Sequence, residues 1–324
     1  MKHKLIPSLS LLFALSCLLP FAVQAEPVSL VFAGDIVLVG QPGKLIAEGR
    51  DPFEGVAAIL RGADIRIGNL ECVVASTGEP EDKIFTFRAN PHTLALLKHH
   101  FDAVSIANNH SGDYGRPAFA EMLGLLDQAG IARFGGGHDL AEAHKPLIIE
   151  RKGLRIALLG YNEFMPRNFE ADADAPGTAW SEDEQVKDDI RRARSEYHAD
   201  LVIPIMHWGW ENERVANARQ RQLAHLMVEA GADAVIGGHP HVTQDVEYYR
   251  GKPIVYSVGN FLIDALDNDA QTHGWIVRLE LAKDGVKAWR TYAVHLDAAG
   301  VPHVMGQEKT PCGNGTAVSL CSAQ

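Results

Sequence analysis

One pattern constrains this chain more than any other: a small or apolar residue, an Asp, a short apolar run, and then a polar cluster. It occurs as Ala63-Asp64-Ile65-Arg66-Ile67-Gly68-Asn69-Leu70-Glu71 and as Phe101-Asp102-Ala103-Val104-Ser105-Ile106-Ala107-Asn108-Asn109-His110. It returns as Ala199-Asp200-Leu201-Val202-Ile203-Pro204-Ile205-Met206-His207 and as Ala232-Asp233-Ala234-Val235-Ile236-Gly237-Gly238-His239. The spacings are unequal, which excludes a sequence repeat. Each copy reads instead as a short buried strand entered from a helix. Helical period and composition place helices at Pro91 to His100, Arg116 to Ala129, Glu182 to Tyr197 and Glu213 to Ala230. Further strands fit Val28 to Ala33, Arg155 to Gly160, Pro253 to Val258, Gly274 to Leu281 and Val286 to Val294.

This alternation predicts a layered α/β domain, and 46% hydrophobic residues in a chain of 324 can fill its core. The last two strands, joined through Ala282-Lys283-Asp284-Gly285, read as an antiparallel hairpin. A mixed sheet, or two sheets packed face to face between helices, is therefore expected in one domain over 26–299. Gly160 to Glu182, rich in Asp, Ala, Pro and Gly, is expected to be a long surface loop. Residues 300–324 lose periodicity and are expected to form an irregular tail.

The N-terminus has the grammar of a secretory signal over residues 1–25: Lys2 and Lys4, an apolar Leu11 to Val23, and Val23-Gln24-Ala25 before Glu26. The apolar run is short of the ~20 residues that span a bilayer. No later segment is long and apolar enough, so an exported mature chain without a transmembrane helix is expected, in the periplasm or outside the cell. Removing Lys2 and Lys4 takes the formal charge from −11 to −13. Such a balance disfavours nucleic acid and anionic membranes as partners. A phosphate-rich substrate would need a local positive centre, such as a metal. Cys312 and Cys321 flank a Gly/Ser/Thr-rich stretch and are candidates for a disulfide closing a small loop in an oxidising compartment. Cys17 lies within the leader's apolar run, and Cys72 reads as a buried free thiol.

Ligands of α/β sheets gather at the carboxyl ends of strands. Five such ends carry polar residues here: Gly34-Asp35, Asn69-Leu70-Glu71, Asn108-Asn109-His110, His207 and His239-Pro240-His241. With 15 histidines in 324 residues, four of them directly after apolar runs and beside two acids and an Asn is more than chance placement supplies. Imidazole with carboxylate suits Zn, Mn or Fe, and so few cysteines argue against a thiolate site. Structural readings compete at each position: Asp35 as a turn cap, Glu71 as a paired surface acid, Asn108 as a turn holder, His207 as a satisfied core histidine. Gly237-Gly238-His239-Pro240-His241 is the most specific signal. Its glycines would let the chain turn sharply, Pro240 would stiffen it, and two imidazoles would converge on adjacent metal positions.

Taken in order, Gly34-Asp35, Asn69-Leu70-Glu71, Ala107-Asn108-Asn109-His110, His207-Trp208-Gly209, Gly238-His239-Pro240-His241 and Tyr256-Ser257-Val258-Gly259-Asn260-Phe261 resemble the capsule-biosynthesis CapA family. That family belongs to the calcineurin-like metallophosphatase superfamily and is linked to poly-γ-glutamate capsules. The resemblance runs from about Val28 to about Leu281. It implies a four-layer α-β-β-α sandwich holding one or two divalent transition ions. It implies metal ligation by Asp35, Glu71, Asn109, His207, His239 and His241, with His110 as the catalytic acid. The implied reaction is hydrolysis at a phosphorus centre by metal-activated water. The chain departs from the superfamily pattern at Val37, where a His is usual, at Glu71, where an Asp is usual, and at Asn108, where a Gly is usual. Around these positions, Asn69, Asn108, Glu211, Asp113, Asn260 and Asp264 are candidates to orient ligands, and Arg88 is a candidate to meet an anionic ligand. Two functions follow as expectations: a metal-dependent hydrolase of a phosphoester or envelope-polymer linkage, or a non-catalytic protein binding an anionic capsule polymer among envelope assembly partners.

Overall fold

The computed structural model describes residues 26–305 and 319–321. The segments read as a leader and the Cys312 partner of the candidate disulfide lie outside the described residues. Two sheets carry the fold. The first has the strand order Pro302–Val304, Gly285–Leu296, His273–Ala282, Val28–Ile36, Ile65–Leu70, Ala103–Ser105 and Ala132–Phe134, with Asn260–Leu262 also pairing along Val28–Ile36. The second runs Ser319–Cys321, Val246–Tyr249, Lys252–Val255, Val235–Gly238, Leu201–His207, Leu154–Asn162 and Leu147–Arg151. Each sheet has parallel strands at its centre and antiparallel pairs toward an edge. The predicted hairpin is His273–Ala282 against Gly285–Leu296.

Three apolar layers separate four structural ones. Because side chains alternate along a strand, Leu30 and Phe32 face the second sheet while Val31 and Ala33 face helices. Likewise Ile203 and Ile205 point between the sheets, whereas Val202 and Met206 pack toward Asp183–Ser195 and Ala218–Ala230. Both central strands are thus buried on both faces, which is why they read as unbroken apolar runs. Each fully buried Leu, Ile or Phe contributes ~1.5–3 kcal/mol. The expected single-domain α-β-β-α sandwich with mixed sheets is the architecture found.

Several boundaries differ from the sequence reading. The last predicted helix begins at Ala218, because Asn217 and Gln220 form a reciprocal capping box there. Residues 213–217 stay in a loop. The strand expected to end at Val258 ends at Val255, and Asn260–Leu262 crosses to the first sheet. Past Ala299 the chain is not wholly irregular: Pro302–Val304 adds an edge strand to Gly285–Leu296, and Ser319–Cys321 pairs with Val246–Tyr249. Edge strands this short need only a free ladder to dock on, so they carry little pattern of their own. The helix Gly40–Ala47 has no clear signal in the sequence either, since Gly40 and Gly43 weaken its propensity. Gly160 to Glu182 is loop beyond Asn162, tied down by a two-residue ladder between Gly177–Thr178 and Gly136–Gly137. No described helix is long and apolar enough to cross a membrane.

Candidate metal centre

The parallel strands of both sheets end on one side, and the polar clusters meet there. Asp35 lies in register with Asn69 on one neighbour and Asn260 on the other, at a point where the strand register shifts. Such irregularities re-aim a side chain at a strand end. Glu71 follows its strand, its N–H held by the Ile36 carbonyl at 2.9 Å. From the opposite sheet, His207 closes its strand in register with Gly238, and His239 and His241 follow. Both take positive φ, +90° and +57°. The turn is therefore made by the histidines themselves. Gly237 and Gly238 serve a different purpose from the one expected, close approach: a Cβ on Gly237 would lie 2.2 Å from the Tyr256 carbonyl oxygen, and one on Gly238 3.1 Å from Asp35 Oδ1. Left-handed backbone on non-glycine residues is costly; outside turns such as those at Lys152 and Arg250 it marks a place that the surrounding structure holds.

The ligand-type atoms converge. His207 Nε2 lies 2.6 Å from Asn109 Oδ1, 3.1 Å from His239 Nδ1 and 3.3 Å from Glu71 Oε1. Glu71, His207 and His239 each bring one ligand atom to within 4.8 Å of the others, and so do Asp35, Glu71 and His241. Glu71 is shared by the two groups. Asp35 Oδ2, both Glu71 oxygens and His239 Nε2 are buried without a hydrogen bond. A buried polar group left so costs ~1–3 kcal/mol, more when charged, and these are atom types that divalent cations take as ligands.

The electrostatics agree. Burial and the neighbouring Asp35 carboxylate push Glu71 well above the ordinary carboxyl range. Burial also pushes Asp35 up, but the His241 ring, its Nδ1 3.4 Å from Asp35 Oδ2, together with His207 and the Asn69 amide, more than reverses this and holds Asp35 low. Burial drives His207 down to about 3, and His239 well below its usual value, with the His207 ring adding to it. Neutral imidazole is the form a metal takes. His241 goes the other way: burial lowers it, yet the Glu71 and Asp35 carboxylates raise it to about 10. In a cation-free pocket His241 is the counter-ion.

The surrounding amides fix these groups. Asn69 Nδ2 donates to Asp35 Oδ1 at 2.8 Å and lies 3.3 Å from His207 Nδ1. Asn108 Nδ2 donates to Asn69 Oδ1 at 3.1 Å and to the Leu70 carbonyl at 2.8 Å. Asn260 Oδ1 sits 2.8 Å from His241 Nδ1, so His241 Nε2 is the nitrogen turned toward Glu71. His110 lies beside the pocket with its backbone N–H on Asn108 Oδ1 and its Nδ1 2.8 Å from Asp113 Oδ2. Burial lowers the His110 pKa, and Asp113 opposes that shift. Glu211, exposed, forms a third close group with His239 and His241.

Two candidates are not brought in. Arg88 turns away: its guanidinium donates to the Thr77 and Gly78 carbonyls at 3.0 and 2.7 Å and lies over the Tyr114 ring. An exposed arginine on a two-residue strand is satisfied by the nearest carbonyls. Asp264 accepts from the Gln41 N–H at 2.7 Å, at the start of Gly40–Ala47. Val37 is wholly buried in the apolar layer on the helix side of the first sheet and offers no ligand. Sequence reasoning missed Lys83, which pairs with Asp113 and donates to the Asn109 carbonyl at 3.0 Å. It also missed Phe164, whose ring lies 3.9 Å from that of His239. Both sit in loops without periodicity. Besides Arg88, the segment between the second and third motifs offers only Lys83 and Lys98 as lysine or arginine, and Lys98 falls in the predicted helix Pro91 to His100, which was the available signal for Lys83.

With the site in view, comparison with known proteins gives a consistent result. The family model described as "Bacterial capsule synthesis protein PGA_cap" matches residues 29–265. The PGA biosynthesis protein CapA of Bacillus subtilis (strain 168) is 32% identical over 287 residues, covering 85% of this chain and 73% of that protein. The capsule biosynthesis protein CapA of Bacillus anthracis is 29% identical over 250 residues, covering 74% of this chain and 61% of the relative. The crystal structure of a hypothetical protein from Thermus thermophilus matches with a TM-score of 0.51 at 17% identity, covering 82% of this chain and 98% of that one.

Proposed function

The chain belongs to the bacterial capsule synthesis protein family PGA_cap, and from that membership and the pocket's geometry we propose that it is a metal-dependent hydrolase of a phosphoester or related bond in an envelope polymer. The observation that carries this reading is the set of buried, unsatisfied ligand atoms on Asp35, Glu71 and His239, placed beside a buried His110–Asp113 pair. The working compartment is outside the cytoplasm, as the N-terminal segment leads one to expect, and the substrate is anionic, in line with capsule polymers.

Asp35, Glu71, Asn109, His207, His239 and His241 would hold one or two divalent ions of the Zn, Mn or Fe type. When bound, such an ion supplies Lewis acidity and makes a coordinated water acidic near neutral pH. The chain's own residues do the rest. Asp113 holds His110 Nδ1, which fixes the ring and leaves Nε2 to carry the mobile proton. An arriving anionic substrate adds negative charge beside the ring and favours its protonated form. As water oxygen bonds to phosphorus and the bond to the leaving oxygen breaks, His110 Nε2 gives that oxygen its proton, and the proton shed by the water passes to solvent, from which the ring is reprotonated. Lys83, paired with Asp113 and hydrogen-bonded to the Asn109 carbonyl, keeps the third strand end in place.

A screen of phosphomono- and phosphodiesters with metal-loaded protein tests this. His110→Ala should lower turnover ~10²- to 10⁴-fold, the usual worth of a general acid, while metal content stays constant. Undiminished turnover in that variant would remove the acid role. Binding of poly-γ-glutamate without turnover of any ester would replace hydrolysis by polymer binding, a reading favoured by Val37, where the superfamily pattern usually has a His.

A further inference from the structure

We propose that Glu211 is a metal ligand: with His239 and His241 it completes a second cation position. This rests on the reading above that the pocket holds a cation. Without Glu211 the two sides of the pocket are unequal. Glu71, Asn109, His207 and His239 face one another on one side, while Asp35, Glu71 and His241 face one another on the other. Four protein or solvent ligands are the common minimum for ions of this type.

Three observations single out Glu211. Its carboxylate, His239 and His241 each offer a ligand atom within 4.8 Å of the other two. His239 Nδ1 is turned to His207, which leaves Nε2 buried and unpartnered. Glu211 itself has no ion pair among the described residues, so nothing competes for its carboxylate.

The backbone holds Glu211 in this place. Its neighbour Asn212 adopts φ +66°, and the Asn212 N–H donates to the Pro240 carbonyl at 2.9 Å, between the two histidines. Asn212 Oδ1 accepts from Asn268 Nδ2 at 2.7 Å and from Gln271 Nε2 at 3.1 Å. The Gln271 carbonyl in turn accepts from Asn260 Nδ2 at 3.0 Å, and Asn260 Oδ1 meets His241 Nδ1. One short helical turn, Asp269–Thr272, therefore anchors both the Glu211 loop and the His241 ring. A surface acid with no role needs no such grip.

Charge favours two ions over one. Three carboxylates, from Asp35, Glu71 and Glu211, against the four positive charges of two divalent ions leave the pocket positive, able to receive an anion. The same three against one ion leave it negative.

The test titrates metal-depleted full-length protein with Mn²⁺ by calorimetry, and reads bound Mn²⁺ by elemental analysis and by electron paramagnetic resonance. Wild type should take up two ions per chain and show the signal of a coupled pair. Glu211→Gln should retain one ion, lose or weaken the second step at least ~10-fold, and show the signal of an isolated ion. Because Glu211 is exposed, the variant should keep the wild-type circular dichroism spectrum. Two binding steps with unchanged affinities in Glu211→Gln would overturn the assignment, as would a single step identical in both proteins, while the metal reading itself would stand. Wild type that binds no ion would bring down both.

Discussion

Two buried polar clusters of this protein have similar ingredients and opposite bookkeeping. One, on the outer face of the second sheet, centres on Asp189: its Oδ2 accepts from His144 Nδ1 at 2.7 Å and from the Tyr161 hydroxyl at 2.9 Å, and its Oδ1 from Gln185 Nε2 at 2.8 Å. Both its carboxylate oxygens are occupied. The other is the pocket of Asp35, Glu71 and the three imidazoles, where four buried atoms have no hydrogen bond and two histidines hold left-handed backbone. Carboxylate and histidine buried together are thus not a signature of function. What marks the second cluster is that the protein leaves it incomplete, at a cost that only a ligand offsets.

The comparison breaks first at His207, where the expected effect is largest. His207 Nε2 is the atom on which Asn109, His239 and Glu71 converge. His207→Ala should lose the ion on that side, putting at stake a binding free energy on the order of 10 kcal/mol for a tightly held divalent metal. Elemental analysis of protein purified without chelator checks it. Full metal content in the variant would mean that the unsatisfied atoms do not form the binding site.

Asp189→Ala should act in the opposite sense. It strands the buried His144 and Tyr161 polar atoms, so urea unfolding should show a loss of ~3–5 kcal/mol with metal uptake unchanged. A loss under ~1 kcal/mol would show that satisfaction of the polar groups there contributes little. A loss of metal would show that the two clusters are not independent.

The contrast also explains what can be read from the sequence. Strand ends are legible because a buried parallel strand must be an apolar run, so Glu71, Asn109, His207 and His239 stand out as polar residues placed where such runs stop. The layered fold follows from the same runs. Satisfaction is not legible, since hydrogen bonds such as that between His144 and Asp189 span 45 residues and depend on how the layers stack. For that reason the sequence points to Arg88, near the motifs, as the residue at the ligand, while Lys83, five residues before it, is the cation that reaches Asn109 and Asp113. The sequence likewise assigns the turn at His239 and His241 to glycines, yet these relieve crowding against Tyr256 and Asp35. Only the opposing sheet reveals that.

The smallest effect separates the clusters by protons. In the cation-free pocket His241 is raised to about 10 by Glu71 and Asp35 against the pull of burial, and Glu71 is itself raised. His241 therefore carries a proton near pH 7 that a metal must displace, and the upward shift of Glu71 acts in the same direction. Calorimetric titration of the apo protein with Zn²⁺ or Mn²⁺ at pH 7, in two buffers of different ionisation enthalpy, should show release of at least ~1 proton per His241-bound ion. The sign is fixed: since the unliganded pKa is high, affinity should climb as pH rises, by ~1.4 kcal/mol per pH unit for each proton displaced, and level off near the value of about 10 set for His241. The gain should survive Asp189→Asn, because that carboxylate faces donors and not the pocket. If binding releases no proton, His241 keeps its own as a fixed counter-ion, and the ligand set must be drawn without it.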